Sequence, residues 1–105
     1  MNEVKKNFDA MVQRYFEKID KRLDAECELI GEDIKVKNVI HTNVTGHAHY
    51  INGNAVYCQL VYMAGARHRY AAAENIINKI IDAQDKDKNS KTCGLWSYYF
   101  EERLT

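Results

Sequence analysis

The sequence predicts an all-α fold of two helical hairpins, and three stretches carry that expectation. Residues 55–64 (Ala-Val-Tyr-Cys-Gln-Leu-Val-Tyr-Met-Ala) are apolar at every position but Gln59, and a helix apolar on nearly all sides must be buried on nearly all sides. After Gly65, the residues Tyr70, Ala73, Ile77 and Ile80 recur in steps of three and four and continue to Gln84, the signature of one helix face. At the N-terminus, Val4, Phe8, Met11, Val12, Tyr15, Phe16, Ile19 and Leu23 form a third apolar stripe. Gly65 marks a tight turn between an inner helix and an outer helix lying antiparallel beside it.

The first helix is expected from about Asn2 to Glu28. An isolated helix of that length is marginal, so its stability must come from packing the stripe. Lys5, Lys6, Arg14, Lys18, Lys21 and Arg22 sit mainly off the stripe, interleaved with Asp9, Glu17, Asp20 and Asp24. Ile34 to Ile40 alternates briefly and predicts a short strand near 34–40. From His41 to Asn54 the chain is rich in Thr, Asn, Gly and His and reads as a loop, with Asn52-Gly53 as a turn and Asn54 as the cap of the inner helix. A loop that long in a compact domain is usually functional or disordered, and three of the four histidines fall in it. Residues 85–93 are a solvated loop. The chain then runs Gly94-Leu95-Trp96-Ser97-Tyr98-Tyr99-Phe100-Glu101-Glu102.

Composition excludes several function classes. At 105 residues the chain is one domain, 1–105, with a modest core. Its 15 basic and 15 acidic residues cancel, and without a dense basic run the electrostatic footprint of a nucleic-acid binder is missing. No apolar run reaches the roughly 18 residues of a membrane span, and the charged N-terminus is unlike a signal peptide. Three widely spaced cysteines, Cys27, Cys58 and Cys93, favour reduced thiols and a cytoplasmic home.

Two regions carry chemistry. His47-x-His49, with His41 as a third ligand, has a spacing that a metal permits, but no CxxC or helical HExxH accompanies it, and no stoichiometric zinc is expected. A polar pocket wall fits the same residues: His, Asn, Thr and Tyr supply the donors and acceptors that a polyol needs, and a neutral imidazole can serve as acid or base. In the C-terminal stretch, Trp96, Tyr98, Tyr99 and Phe100 stand beside Glu101 and Glu102. Indole and phenol rings suit stacking on a sugar, and carboxylates are the proton-transfer groups of glycoside chemistry. Adjacent glutamates cannot both face one pocket, so one at most is catalytic.

From Asn54 to Glu102 the chain resembles the helical hairpins of the α/α-toroid carbohydrate-active enzymes, the glycoside hydrolases and polysaccharide lyases among them. The resemblance rests on the apolar inner helix, on Arg69-Tyr70-Ala71-Ala72-Ala73-Glu74 opening an Ile-rich outer helix, and on Ala83-Gln84-Asp85, a loop, and Gly94-Leu95-Trp96-Ser97-Tyr98-Tyr99. It covers about half the chain. It implies a site with His47 and Glu101 as catalytic residues, with His41, His49, Tyr50, Trp96 and Tyr99 binding a saccharide, and with no cofactor. A closed toroid needs more hairpins than this chain supplies, so the expectation is a portion of a larger toroid or a small self-associating relative.

Two other classes are consistent with the residues: a non-enzymatic helical self-association module, and a small metal-binding protein using the histidine loop. Three helical pieces do not cover the inner helix completely, so a twofold homodimer is expected, with Phe8, Tyr15, Phe16, Tyr98 and Phe100 at the interface. Leu60→Asp is expected to prevent folding, because it places a charge on a buried helix.

Overall fold

A computed structural model describes residues 2–24, 27–34 and 46–101. The chain is mainly helical, as expected: α1 spans Asn2–Ile19, α2 Ile51–Met63 and α3 Tyr70–Ala83. Among the described residues, four short strands lie between α1 and α2: β1 (Leu23–Asp24), β2 (Leu29–Ile30), β3 (Glu32–Ile34) and β4 (Gly46–Ala48). They form two antiparallel pairs, β1 with β2 and β3 with β4.

The inner and outer helices are the antiparallel hairpin α2–α3. Val61, Ala73 and Ile76 at their contact are wholly buried. The turn between them works through Gly65, whose φ of 66° is open to glycine at little cost. The amide of Gly65 donates to the carbonyl of Tyr62, and that of Ala66 to the carbonyl of Val61. This is the Schellman pattern that satisfies the last carbonyls of a helix. α1 joins through Val12, Phe16 and Ile19, all buried. The Phe16 ring meets Tyr57 edge-on at 5.9 Å. Burying each such side chain contributes about 1.5–3 kcal/mol before ordering costs. At the same junction Arg69 grips Asp20 with both amino groups, at 2.6 and 2.9 Å, and lies 4.2 Å over the Phe16 ring. That fork holds the Asp20 carboxyl below its usual range.

Three sequence expectations shift. The first helix ends at Ile19, not near Glu28, passing through a 3-10 turn at Asp20–Arg22 into β1. The cause is a competing hairpin. Leu29 and Ile30 are each 5% exposed, and β2 reaches the core only if the chain reverses after Asp24, pairing Leu23 with Ile30 and Asp24 with Leu29. Leu23, counted in the helical stripe, is instead exposed. The expected strand near 34–40 is described only as far as Ile34, and the expected loop of residues 41–54 contains β4, in register with β3. Residues 35–45 lie outside the described residues.

The third shift concerns Asn54, expected to cap the inner helix. The helix begins earlier, at Ile51, and Asn54 lies inside it with no exposed surface. Its Oδ1 accepts from the Ile30 amide at 2.8 Å, while Nδ2 donates to the carbonyls of Ile30 at 3.0 Å and Tyr50 at 2.7 Å. The carboxamide therefore pairs with Ile30 as a neighbouring strand would and fastens β2 to α2.

α2 is not covered all round. Asn52, Val56, Gln59 and Met63, three or four residues apart, are exposed, so one stripe of the inner helix faces outward. Leu60 is half-buried, whereas Val61 is completely enclosed.

Candidate functional site

The N-terminal end of α2 is where distant segments meet. The Ile51 amide donates to the carbonyl of Tyr98 at 2.9 Å, and the Phe100 amide to the carbonyl of His49 at 3.0 Å. Tyr50 and Tyr99 face each other across this short ladder as an isolated antiparallel bridge. Their rings lie 4.5 Å apart, and the Tyr99 hydroxyl donates to that of Tyr50 at 3.1 Å. The C-terminal aromatic segment is thus laid against the end of the histidine-rich segment.

His49 is the centre of the junction and is only 7% exposed. Glu101 holds it twice: Oε1 accepts from the His49 backbone amide at 2.9 Å, and Oε2 stands 2.6 Å from Nδ1. On the other side of the ring, Nε2 lies 3.1 Å from Asp24 Oδ2 and 3.3 Å from Cys27 Sγ. One imidazole therefore lies between two carboxylates and a thiol.

The turn that brings Asp24 and Cys27 here is fixed from outside. The Glu28 amide donates to the Asp24 carbonyl at 2.7 Å. Glu28 has a φ of 60°, a left-handed conformation that costs a non-glycine residue roughly 1–2 kcal/mol. From α3, Asn75 Nδ2 donates to Glu28 Oε2 at 2.9 Å and Lys79 Nζ to the Cys27 carbonyl.

The arrangement limits the chemistry. Burial raises the Cys27 thiol above its ordinary range and the Asp24 charge adds to the rise; burial pushes the Cys58 thiol up to about 11. A nucleophilic cysteine needs the opposite shift. Both His49 ring nitrogens face protein groups, Nδ1 Glu101 and Nε2 Asp24 and Cys27, so neither is turned toward an organic substrate. Asp24, Cys27 and His49 each offer a ligand atom, all within 4.8 Å of one another, and together they could hold a metal ion.

Of the residues expected at the site, His49, Tyr50, Tyr99 and Glu101 come together at this junction. Glu101, expected to be catalytic, holds His49. Tyr99, expected to stack on a saccharide, is 5% exposed and spends its ring on Tyr50. Trp96 is 40% exposed, and its Nε1 donates to the Ile80 carbonyl at 2.7 Å, which locks the indole against the end of α3. Tyr98 is 60% exposed and lies two residues further along the chain. His41 and the side chain of His47 lie outside the described residues. Asp24 and Cys27 were not among the expected site residues; the Asp24-x-x-Cys27 spacing was the one available signal.

A cleft of about 270 Å³ opens beside the junction, lined by Arg22, Ile30, Tyr50, Asn52, Gly53 and Asn54. Among the described residues no helix is long and apolar enough to cross a membrane. No family model, curated protein or solved structure matches the chain.

Proposed function

We propose that this chain is a helical-hairpin unit of the α/α-toroid carbohydrate-active kind and that it binds a saccharide at the N-terminal end of its inner helix. The observation that carries the reading is the convergence there of the two segments whose composition suits a sugar. Residues 49–51 and 98–100 are laddered together, so the exposed rings of Trp96 and Tyr98 stand on the segment that joins this end of α2. Indole and phenol rings suit stacking on a pyranose, and the fixed indole loses little freedom on binding. The neighbouring cleft, with Ile30 and Tyr50 in its lining, offers apolar surface for the ring of a sugar. The role assigned here is binding. Glu101 and His49 position the aromatic segment, and the proposal gives neither a catalytic step. The three thiols, none in a disulfide, suit the cytoplasmic home that the sequence suggests.

Trp96→Ala and Tyr98→Ala should each weaken retention on immobilised polysaccharide, by about tenfold for every 1.4 kcal/mol of stacking lost, while melting temperatures change little. Unchanged retention in both variants would remove the stacking surface from the account.

Self-association is a second reading, favoured by the uncovered stripe of α2. Val56 and Met63 are 41% and 69% exposed, and a second chain would cover them. Light scattering at micromolar concentration should give twice the 12.2 kDa chain mass, and Met63→Lys should return the monomer. A monomer at high concentration would rule this reading out.

A further inference from the structure

We infer that Asp24, Cys27 and His49 form a binding site for a divalent metal ion of the zinc class, with Glu101 positioning the histidine. The sequence pointed away from metal because no CxxC or helical HExxH accompanies the loop histidines. The geometry uses His49 with two ligands from the β1–β2 turn.

Three features support the site. The first is spacing. Ligand atoms bonded at about 2.0–2.3 Å to one tetrahedral ion stand roughly 3.3–3.8 Å apart. Nε2 lies 3.1 Å from Asp24 Oδ2 and 3.3 Å from Cys27 Sγ, two separations within a few tenths of an ångström of that range, and all three ligand atoms lie within 4.8 Å of one another. The second is the histidine. A metal-bound imidazole commonly gives its other nitrogen's proton to a carboxylate, which fixes ring orientation and raises ligand basicity. Glu101 Oε2 is placed for that at 2.6 Å from Nδ1, and its Oε1 is anchored on the His49 amide. The third is the donor set. One sulfur, one nitrogen and one oxygen suit a borderline ion such as zinc, whereas calcium and magnesium prefer oxygen alone. Among the described residues three side chains supply ligand atoms.

The ion would tie the turn after α1 to the start of α2, segments joined in sequence only through residues 28–48. The site shares His49 and Glu101 with the anchoring of the aromatic segment, but its metal readouts need no saccharide and involve neither Trp96 nor Tyr98.

The test uses the full chain, stripped with chelator and titrated with zinc or cobalt(II) salts. One equivalent per chain should bind. Cobalt should develop thiolate charge-transfer absorption in the near ultraviolet and tetrahedral d–d bands in the visible. Cys27→Ser should abolish the charge-transfer band, His49→Ala should abolish binding, and Cys93→Ser should change neither. Glu101→Ala should weaken affinity by about 10–100-fold and keep the thiolate band. Should His49→Ala fail to fold, the contrast between Cys27→Ser and Cys93→Ser decides. Absence of stoichiometric binding, or a thiolate band that survives Cys27→Ser, overturns the assignment.

Discussion

Asn54→Ala should lower the stability of the fold by about 3–5 kcal/mol, as read by thermal or denaturant unfolding. Alanine removes three hydrogen bonds and leaves the amide and carbonyl of Ile30 unpaired. Each buried group so orphaned costs about 1–3 kcal/mol. Ile30 is itself 5% exposed, so water reaches those groups only if β2 lifts off α2. A domain of this size has about 5–15 kcal/mol in total, so about a third to a half of a mid-range margin goes. The melting temperature should fall by roughly 20 °C. A fall of only a few degrees would mean that the strand is held by its apolar side chains and that the carboxamide is incidental.

Val61→Asp should abolish folding altogether. Val61 has no exposed surface and sits where α2 meets α3, among Ile76, Ala73 and Cys58. An aspartate there must either carry a buried charge or protonate, at a cost of several kcal/mol on top of the lost packing. Gln59→Asp, two residues away on the exposed stripe, should stay within about 0.5 kcal/mol of the parent. The pair reads the rotational phase of α2 in one experiment. A folded Val61→Asp protein with an unchanged melting temperature would show that the inner helix is packed on a different face.

Elements that depend on neighbours in sequence were legible before the structure. The hairpin α2–α3 follows from an apolar run, a glycine and a stripe of period 3.6, and the buried members of α1 follow from its first stripe. What was not legible depends on distance along the chain. Nothing in the spacing of Leu23 separates a helical stripe from a strand that turns back, because the answer lies in how Leu29 and Ile30 reach the core. Asn54 resembles a cap in sequence; only the approach of Ile30, 24 residues away, makes it a buried connector. The cluster at His49 draws its partners from 22, 25 and 52 residues away, so no motif window contains it. The aromatic segment was recognisable as a group, but not which of its rings stays outside. The pairing of Tyr99 with Tyr50 turns Tyr99 in, and that partner lies 49 residues away along the chain.

The claim that this end of α2 receives a saccharide is tested most directly by the fluorescence of Trp96. The chain has a single tryptophan, so its emission has one source. Titration with neutral and uronic-acid oligosaccharides should shift or quench that emission saturably with at least one class, and Tyr98→Ala should weaken the response. Emission unchanged across both classes would contradict the account.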